Sequence, residues 1–264
     1  MSRPKKRLGQ HFLSDPRILR RIADALDPSA SDTVLEIGPG TGALTAELIG
    51  RAGRVVALEK DRELLAGLSA RFPLLTLVHA DALDVDWHAV AGAGALIIGN
   101  IPYNITSPLL DKALAPPRPP RIVFLMQQEV AERIAAEPGT AAYGALTVGV
   151  RAVARAERLF SVPAGAFHPP PKVDSAVLRL TPLAVPLIAD ADVAQFRRMV
   201  VGLFGFRRKQ LLRGLRELTG WPAARVEPIL LQAGLEPTAR PETVAPEAFA
   251  RLLLALVDAK WGGD

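Results

Sequence analysis

The chain contains no cysteine among its 264 residues. That absence excludes a disulfide framework and any metal site built on thiolates. Histidine is also scarce, and no two histidines have the spacing that would bring them together on one helix face as a pair of metal ligands. We therefore expect no metal cofactor. The four histidines are His11, His79, His88 and His168.

The sequence also lacks the apolar segments that a signal peptide or a membrane span requires. Its start is basic, but polar residues such as Gln10 and the pair Asp15–Pro16 interrupt any apolar stretch there. A long uncharged run, residues 87–110, contains histidine, asparagine, proline and glycine, which favours strand and loop over a membrane helix. These features predict a cytoplasmic protein without membrane attachment.

Positive charge is concentrated in two segments. Residues 1–21 contain seven lysines and arginines and one aspartate, and residues 197–216 contain seven and no acid. Because the two segments contribute +13 to a chain of net charge +5, the remainder carries −8. Such clustering indicates a polyphosphate partner. The alternative is a basic tail and one solvated helix face.

Short β-rich runs alternate with helical segments up to about residue 138, starting with a helix at residues 14–26 that has Pro16 in its first turn. This alternation predicts an α/β fold with a mostly parallel sheet. Two later strands, near residues 157–162 and 173–181, are expected to supply an antiparallel edge.

From about residue 185 the sequence has only helical periodicity. We therefore predict two domains, residues 1–184 with a basic N-terminal segment 1–13, and a small helical domain at residues 185–264. Its helices are expected near 190–204, 207–218, 222–233 and 246–258.

A glycine-rich turn follows the first predicted strand, Thr33–Ile37. Gly38, Gly40 and Gly42 lie between this strand and a helical segment, an order that lets the backbone and the helix N-terminal amides approach a ligand closely. Ala43 stands where a dinucleotide-binding fingerprint has its third glycine, which disfavours a nicotinamide cofactor. Glu36, just before the turn, suits a cofactor with a positive centre.

Two acids end the next two predicted strands. Glu59 lies about twenty residues beyond the first glycine, where a carboxylate can accept hydrogen bonds from both hydroxyls of a ribose. Asp81, with the backbone of Ala82, is placed to read an adenine. A solvated acid and a helix cap are the competing interpretations of Glu59 and Asp81.

The tetrapeptide Asn100-Ile101-Pro102-Tyr103 follows a buried strand, and therefore lies at the edge where open α/β sheets bind ligands. The Asn100 amide oxygen and the Ile101 carbonyl can accept hydrogen bonds from an exocyclic amino group. The Tyr103 ring can stack on the nucleobase that carries it. The same residues also make ordinary turns.

Together these motifs closely resemble the ribosomal RNA adenine dimethyltransferases, which move methyl groups from S-adenosylmethionine to adenine N6. The resemblance runs nearly end to end and includes three further segments. Gln210 departs from the family pattern, which usually has threonine after the basic triplet. The three segments are Leu8-Gly9-Gln10-His11-Phe12-Leu13, residues 167–177 (Phe-His-Pro-Pro-Pro-Lys-Val-Asp-Ser-Ala-Val) and Phe204-Gly205-Phe206-Arg207-Arg208-Lys209.

The resemblance implies a Rossmann-like S-adenosylmethionine-dependent methyltransferase sheet and a small C-terminal all-helical domain that binds RNA. It implies that His11 and Leu13 cover the cofactor and that Phe167 stacks on the second face of the target base. The basic triplet Arg207-Arg208-Lys209 is expected to grip RNA phosphates, and Gln210 to alter the detail of that contact.

Within the family the chain is most similar to the bacterial enzymes that dimethylate two adjacent adenosines near the 3′ end of small-subunit ribosomal RNA. The implied partner is that RNA within a pre-ribosomal particle, bound by a monomer. Two alternatives remain at this point, a large-subunit RNA methyltransferase of the antibiotic-resistance type and a non-catalytic ribosome-assembly factor.

Overall fold

A seven-stranded sheet dominates the N-terminal part of the computed structural model, which describes Lys5 and residues 9–262. The rest of the predicted basic segment 1–13, including Leu8, lies outside the described residues. The described strands are β1 (Phe12–Leu13), β2 (Thr33–Ile37), β3 (Arg54–Glu59), β4 (Thr76–His79), β5 (Leu96–Asn100), β6 (Ile122–Gln127), β7 (Ala154–Val162), β8 (Phe167–His168) and β9 (Ser175–Pro182).

The helices confirm the predicted alternation and the predicted C-terminal helices. None of those described has the length and apolar character needed to cross a membrane. They are α1 (Pro16–Leu26), α2 (Ala43–Leu48), α3 (Arg62–Arg71), α4 (Trp87–Ala91), α5 (Thr106–Ala113), α6 (Gln128–Ile134), α7 (Ala145–Arg151), α8 (Val193–Gly205), α9 (Leu211–Thr219), α10 (Ala223–Gln232) and α11 (Pro246–Asp258).

The strand order in the large sheet is β4-β3-β2-β5-β6-β9-β7. Strands β2 to β6 are parallel to their neighbours, and β9 runs antiparallel to β6, as predicted for the late strands. The order reverses direction between β2 and β5, and the crevice at the carboxyl ends of strands at such a switch point is where open α/β sheets bind ligands.

Helix α1 illustrates how the sequence sets local structure. Asp15 caps it by accepting from the backbone N–H groups of Arg17 and Ile18, and Pro16 supplies a preset φ at the first helical position. The helix packs its apolar face into a core that also includes residues of β2, β3, β5, β6 and β9. This packing holds the strands rigid, so the loops at their ends have fixed positions.

The chain divides into two compact units, which are not two consecutive stretches. One contains the chain up to Ala131 together with Ala156–Pro182, and the other contains Glu132–Arg155 and the chain from Leu183 onward. A single boundary near residue 185, as predicted from the sequence, would place Glu132–Arg155 with the first unit. In the structure this segment belongs to the second unit. Within the second unit the buried Tyr143 hydroxyl donates to the Val244 carbonyl, a bond that joins the two parts of that unit.

Candidate active site

A cavity of about 180 Å³ opens at the carboxyl edge of β2, β3, β4 and β5. Most of the site residues predicted from the sequence line this cavity. Residues 9–13 contribute to the lining together with the ends of the strands. The cavity does not include Gly42 or Phe167. The predicted site residues that line it are His11, Leu13, Gly38, Gly40, Glu59, Asp81, Ala82, Asn100, Ile101, Pro102 and Tyr103.

The glycine-rich turn divides into two lining residues and one packing residue. Gly38 and Gly40 have φ of +67° and +58° and line the cavity, so a side chain there would be strained. Gly42 has φ of +80° and is the N-cap of α2, and a Cβ atom on it would lie 2.4 Å from the Phe72 ring. Gly42 therefore supports the turn by close packing.

Glu59 occupies the end of β3 with its carboxylate almost completely buried. One oxygen accepts from the Gly40 N–H at 3.1 Å and the other from the Asp61 N–H at 2.7 Å. Burial raises the pKa of Glu59 despite these bonds. The carboxylate is thus locked in one orientation beside the glycine turn.

Asp81 is engaged by protein groups on both oxygens. One oxygen forms an ion pair with Lys60, and the other accepts from the Leu83 N–H at 3.0 Å. Burial alone would raise its pKa, but the hydrogen bonds from Lys60 and Leu83 hold the pKa of Asp81 below its ordinary value. Lys60 is therefore a partner of this acid.

Glu36 is a further acid of the cavity that is 1% exposed. Its carboxylate accepts from the Thr45 hydroxyl at 2.6 Å. Burial, and secondarily the negative charge of Glu59, raises the pKa of Glu36 to about 7. The sequence indicated the position of this acid but not its burial, because burial depends on the neighbouring strands.

Asn100 is the last residue of β5, and a remote backbone group orients its side chain. Its Nδ2 donates to the His11 carbonyl oxygen at 2.8 Å. Because a carbonyl can only accept, this bond determines which way the amide points. No donor among the described residues reaches Oδ1, so that oxygen is available to a ligand in the cavity.

Tyr103 begins a short 3-10 turn, Tyr103–Ile105, which is separated from the end of β5 by Ile101 and Pro102. Its hydroxyl shares a hydrogen bond of 2.7 Å with the Ser175 hydroxyl. Its ring stacks on the His11 ring, with centroids 5.9 Å apart and planes 24° apart. Burial raises the pKa of the Tyr103 phenol, which therefore stays protonated in neutral solution.

Phe167 does not occupy the position that the sequence predicted for it. It is 4% exposed and belongs to the core that also contains Leu13, its partner across the β1–β8 pair. The same strand pair places β1 beside the proline-rich segment, where His11 Nδ1 lies 2.8 Å from the Pro169 carbonyl oxygen. Ser175 was not among the predicted site residues, and only its place within the segment 167–177 could have indicated it.

The basic triplet is already partly neutralised within the second unit. Arg207 forms an ion pair with Glu242 at 2.6 Å, and Lys209 lies 3.6 Å from Glu217. Arg208 is exposed and has no acidic partner among the described residues. The same is true of Arg213 and Arg216, which lie one turn apart on α9.

Gln210, the residue that departs from the family pattern, is the N-cap of α9 and makes no side-chain capping bond. Threonine is a favoured residue at this position because its hydroxyl can accept from the first helical N–H groups. The departure from threonine therefore leaves the start of α9 without a side-chain capping bond.

Among the described residues no cluster of three or more candidate ligands could hold a metal ion.

Comparison with known proteins gives a consistent result. A family model described as "Ribosomal RNA adenine dimethylase" matches residues 1–252. The chain is 44% identical to the "Ribosomal RNA small subunit methyltransferase A" of Bordetella avium over 97% of this chain and 96% of that protein. It is 46% identical to the protein of the same name from Phenylobacterium zucineum, over 97% and 87%.

Two solved structures are similar over nearly their whole lengths. A dimethyladenosine transferase from Plasmodium falciparum has a TM-score of 0.86 and 26% identity, and the match covers 95% of this chain and 99% of that one. The 23S rRNA methyltransferase ErmE has a TM-score of 0.76 and 32% identity, with coverage of 93% and 99%.

Proposed function

The chain belongs to the ribosomal RNA adenine dimethylase family, and on that premise we propose that it methylates small-subunit ribosomal RNA. It transfers methyl groups from S-adenosylmethionine to N6 of two adjacent adenosines near the 3′ end, giving N6,N6-dimethyladenosine. Relatives named for the small subunit share more identity with this chain than ErmE does. This difference favours the small-subunit substrate over the large-subunit alternative.

The residues of the cavity fit this cofactor. When bound, S-adenosylmethionine supplies a methyl group on a positively charged sulfur. The locked carboxylate of Glu59 would accept from the ribose hydroxyls, and Gly38 and Gly40 let the backbone approach the methionine end. The buried acid Glu36 would place negative charge near the positive groups of the cofactor.

The adenine end and the cover of the cofactor involve the remaining predicted residues. Asp81 and the Ala82 backbone would read the cofactor adenine, with Asp81 keeping its ion pair to Lys60. His11 and Leu13 would cover the cofactor from the N-terminal side, since both line the cavity.

The observation that carries the proposal is the orientation of the Asn100 amide. Its Nδ2 is occupied by the His11 carbonyl, so Oδ1 is the atom available to accept an N6–H of the target adenine. That bond, with one to the Ile101 carbonyl, would turn the N6 lone pair toward the methyl group. Pro102 stiffens the turn, and Tyr103 would stack on the base, which must leave its stack to enter the cavity.

No strong general base is required for this reaction. The methylated nitrogen is acidic and can lose its proton to solvent, so the protein need only hold donor and acceptor in line. Positioning of this kind supplies a large part of the rate of many enzymes.

The second unit is proposed to bind RNA through unpaired guanidinium groups. Arg208, Arg213 and Arg216 supply three positive charges without acidic partners in the described chain. Arg207 and Lys209 would have to exchange protein carboxylates for phosphates, and their contact with RNA stays a prediction. We further propose that residues 185–264 form most of this RNA-binding region and that a cytoplasmic monomer acts on a pre-ribosomal particle.

The test is methyl transfer from isotopically labelled S-adenosylmethionine, offered separately to unmethylated small-subunit particles and to protein-free large-subunit RNA. Mass analysis of the nucleosides should find N6,N6-dimethyladenosine from the small-subunit particles alone. Label in large-subunit RNA would instead indicate a large-subunit RNA methyltransferase of the antibiotic-resistance type. Absence of label in both would favour an assembly factor without catalysis.

A further inference from the structure

Ser175 is a buried hydroxyl at the carboxyl edge of the sheet, where the proposed mechanism gives it no role. It is 0% exposed, and its Oγ lies 2.7 Å from the Tyr103 hydroxyl, 72 residues away in the chain. Because β9 runs antiparallel to β6, the first residue of β9 lies beside the last residue of β6. That reversal brings Ser175 to the edge at which the parallel strands end.

The backbone holds Ser175 rigidly. Ser175 is paired with Gln127 in the β6–β9 ladder, and the adjacent Gln128 N–H donates to the Asp174 carbonyl at 3.0 Å. The Asp174 carboxylate in turn accepts from the Ala164 N–H at 2.9 Å. The serine hydroxyl is therefore mounted on the sheet and not on a loose loop.

Tyr103, in contrast, lies outside the sheet, in the short turn that joins β5 to α5. The Ile101 N–H donates to the Leu125 carbonyl at 2.9 Å, after which the chain leaves the ladder. The bond to Ser175 ties the far end of the ring as well, so the aromatic plane is held at both ends. The His11 ring lies along one side of it.

We propose that Ser175 is a positioning residue that sets the plane of the Tyr103 ring against the target adenine. The inference rests on the proposed function, because it assumes that Tyr103 stacks on that base. Stacking uses the face of the ring and leaves the hydroxyl free for anchoring. Without the anchor the ring could tilt, and N6 would leave the line of attack on the methyl group, a kind of misplacement that is costly in rate.

The second methyl transfer is the step that this anchor affects most. The monomethylated base must return to the cavity with its first methyl group turned aside, so fewer base orientations remain productive than in the first transfer. Loss of the anchor should therefore slow the second transfer more than the first. The ratio of monomethyladenosine to dimethyladenosine then measures how well the ring is held.

The test uses full-length protein with small-subunit particles, comparing the wild type with Ser175→Ala, Tyr103→Phe and the double variant. Each single variant removes the same hydrogen bond while keeping the aromatic ring. We expect each to slow the second transfer about five- to tenfold, the usual cost of one such bond, and to raise the monomethyladenosine fraction. The double variant should be no slower than either single variant, and S-adenosylmethionine affinity should be unchanged.

Val177→Ala is the matched control, because Val177 lies on β9, is fully buried and does not line the cavity. It should lower thermal stability while leaving the ratio of products unchanged. A shift of that ratio by Val177→Ala as large as that of Ser175→Ala would overturn the proposal, since strand damage alone would then explain it.

Three further results would overturn the proposal. They are an unaltered second transfer in Ser175→Ala, an unaltered second transfer in Tyr103→Phe, and losses that multiply in the double variant. If Ser175→Ala does not fold, Tyr103→Phe decides alone, because it removes the bond without touching β9. A wild type that forms no dimethyladenosine would refute the proposed function itself, whereas a normal wild type with normal variants would refute only the role of Ser175.

Discussion

The side of the cavity that is proposed to bind the cofactor (the cofactor side) and the side that is proposed to bind RNA (the RNA side) are built in different ways. On the cofactor side the Glu59 carboxylate accepts from the N–H of Gly40, 19 residues away, and from the N–H of Asp61, two residues away. On the RNA side the Asn100 amide is oriented by His11, 89 residues away, and Tyr103 is bonded to a serine 72 residues away. The bonds that hold Glu59 are therefore local, whereas those that hold Asn100 and Tyr103 join distant segments.

The difference follows from topology. Glu59 and Asp81 follow parallel strands, and their carboxylates bond to groups in the next turn or on the neighbouring strand. The RNA side depends on the short β1–β8 pair and on the antiparallel strand β9. Strand β1 lies near the start of the first unit in the sequence, whereas β8 and β9 lie near its end. Cofactor binding should therefore tolerate changes on the RNA side, whereas methyl transfer should not.

The largest expected effect tests that separation directly. Tyr103→Ala removes the ring that is proposed to stack on the target base, without changing the glycine turn or Glu59. Methyl transfer should fall about 100-fold or more, because both stacking and alignment are lost. S-adenosylmethionine affinity, measured by calorimetry, should stay nearly unchanged. A parallel loss of cofactor binding would mean that the two sides are one structural unit.

Phe167→Leu is the control for this experiment, because it keeps an apolar side chain in the core position that Phe167 occupies. It should cost stability of about 1.5 kcal/mol or less, with transfer per folded molecule preserved. A loss of transfer comparable to that of Tyr103→Ala would restore the original prediction that Phe167 stacks on the base.

A smaller effect is expected in the pH dependence of protein stability, to which Glu36 on the cofactor side contributes. Glu36 has a pKa of about 7 in the folded protein and an ordinary value of 4.5. The folded state therefore binds the proton more tightly, and stability is lost as the pH rises from about 4.5 through about 7, by roughly 3 kcal/mol in total. In Glu36→Gln this loss should disappear, because the amide stays neutral and can still accept from Thr45.

Urea denaturation of the cofactor-free protein between about pH 5 and pH 8 checks this expectation. Equal pH slopes in the wild type and Glu36→Gln would contradict it. Cofactor affinity of the wild type should rise over the same range, because ionised Glu36 favours a positive ligand. Ser175→Ala offers a comparison from the RNA side, where no such difference is expected.

The smallest effect concerns the salt dependence of RNA binding. Replacing Arg208, Arg213 and Arg216 by glutamine should flatten the dependence of log affinity on log salt by about two, since each phosphate contact contributes roughly 0.7–0.9. The matched variant replaces Arg207 and Lys209, which are paired with Glu242 and Glu217. It should change the slope less, because the gain of a phosphate contact by Arg207 or Lys209 is offset by the loss of its carboxylate partner. If the slope changed more in the matched variant than in the triple variant, the main phosphate contacts would belong to Arg207 and Lys209.

Much of the fold could be predicted from sequence because its signals are local. The boundaries of β2, β3 and α1 follow from β-rich runs, a glycine turn and an N-cap with proline. The place of Glu132–Arg155 could not, since nothing in that segment shows that it packs with the chain beyond residue 183. Hydrophobic periodicity indicates that a face is buried, but not what covers it.

The same limit applies to individual side chains of the site. The sequence alone determined the cavity motifs, from Gly38 to Tyr103, because the ends of parallel strands must meet at one edge of the sheet. The pairing of Arg207 with Glu242, the burial of Phe167 and the bond between Tyr103 and Ser175 were decided only by the tertiary structure. Each of these joins segments that are distant in the chain, and only the folded backbone brings such segments within bonding distance.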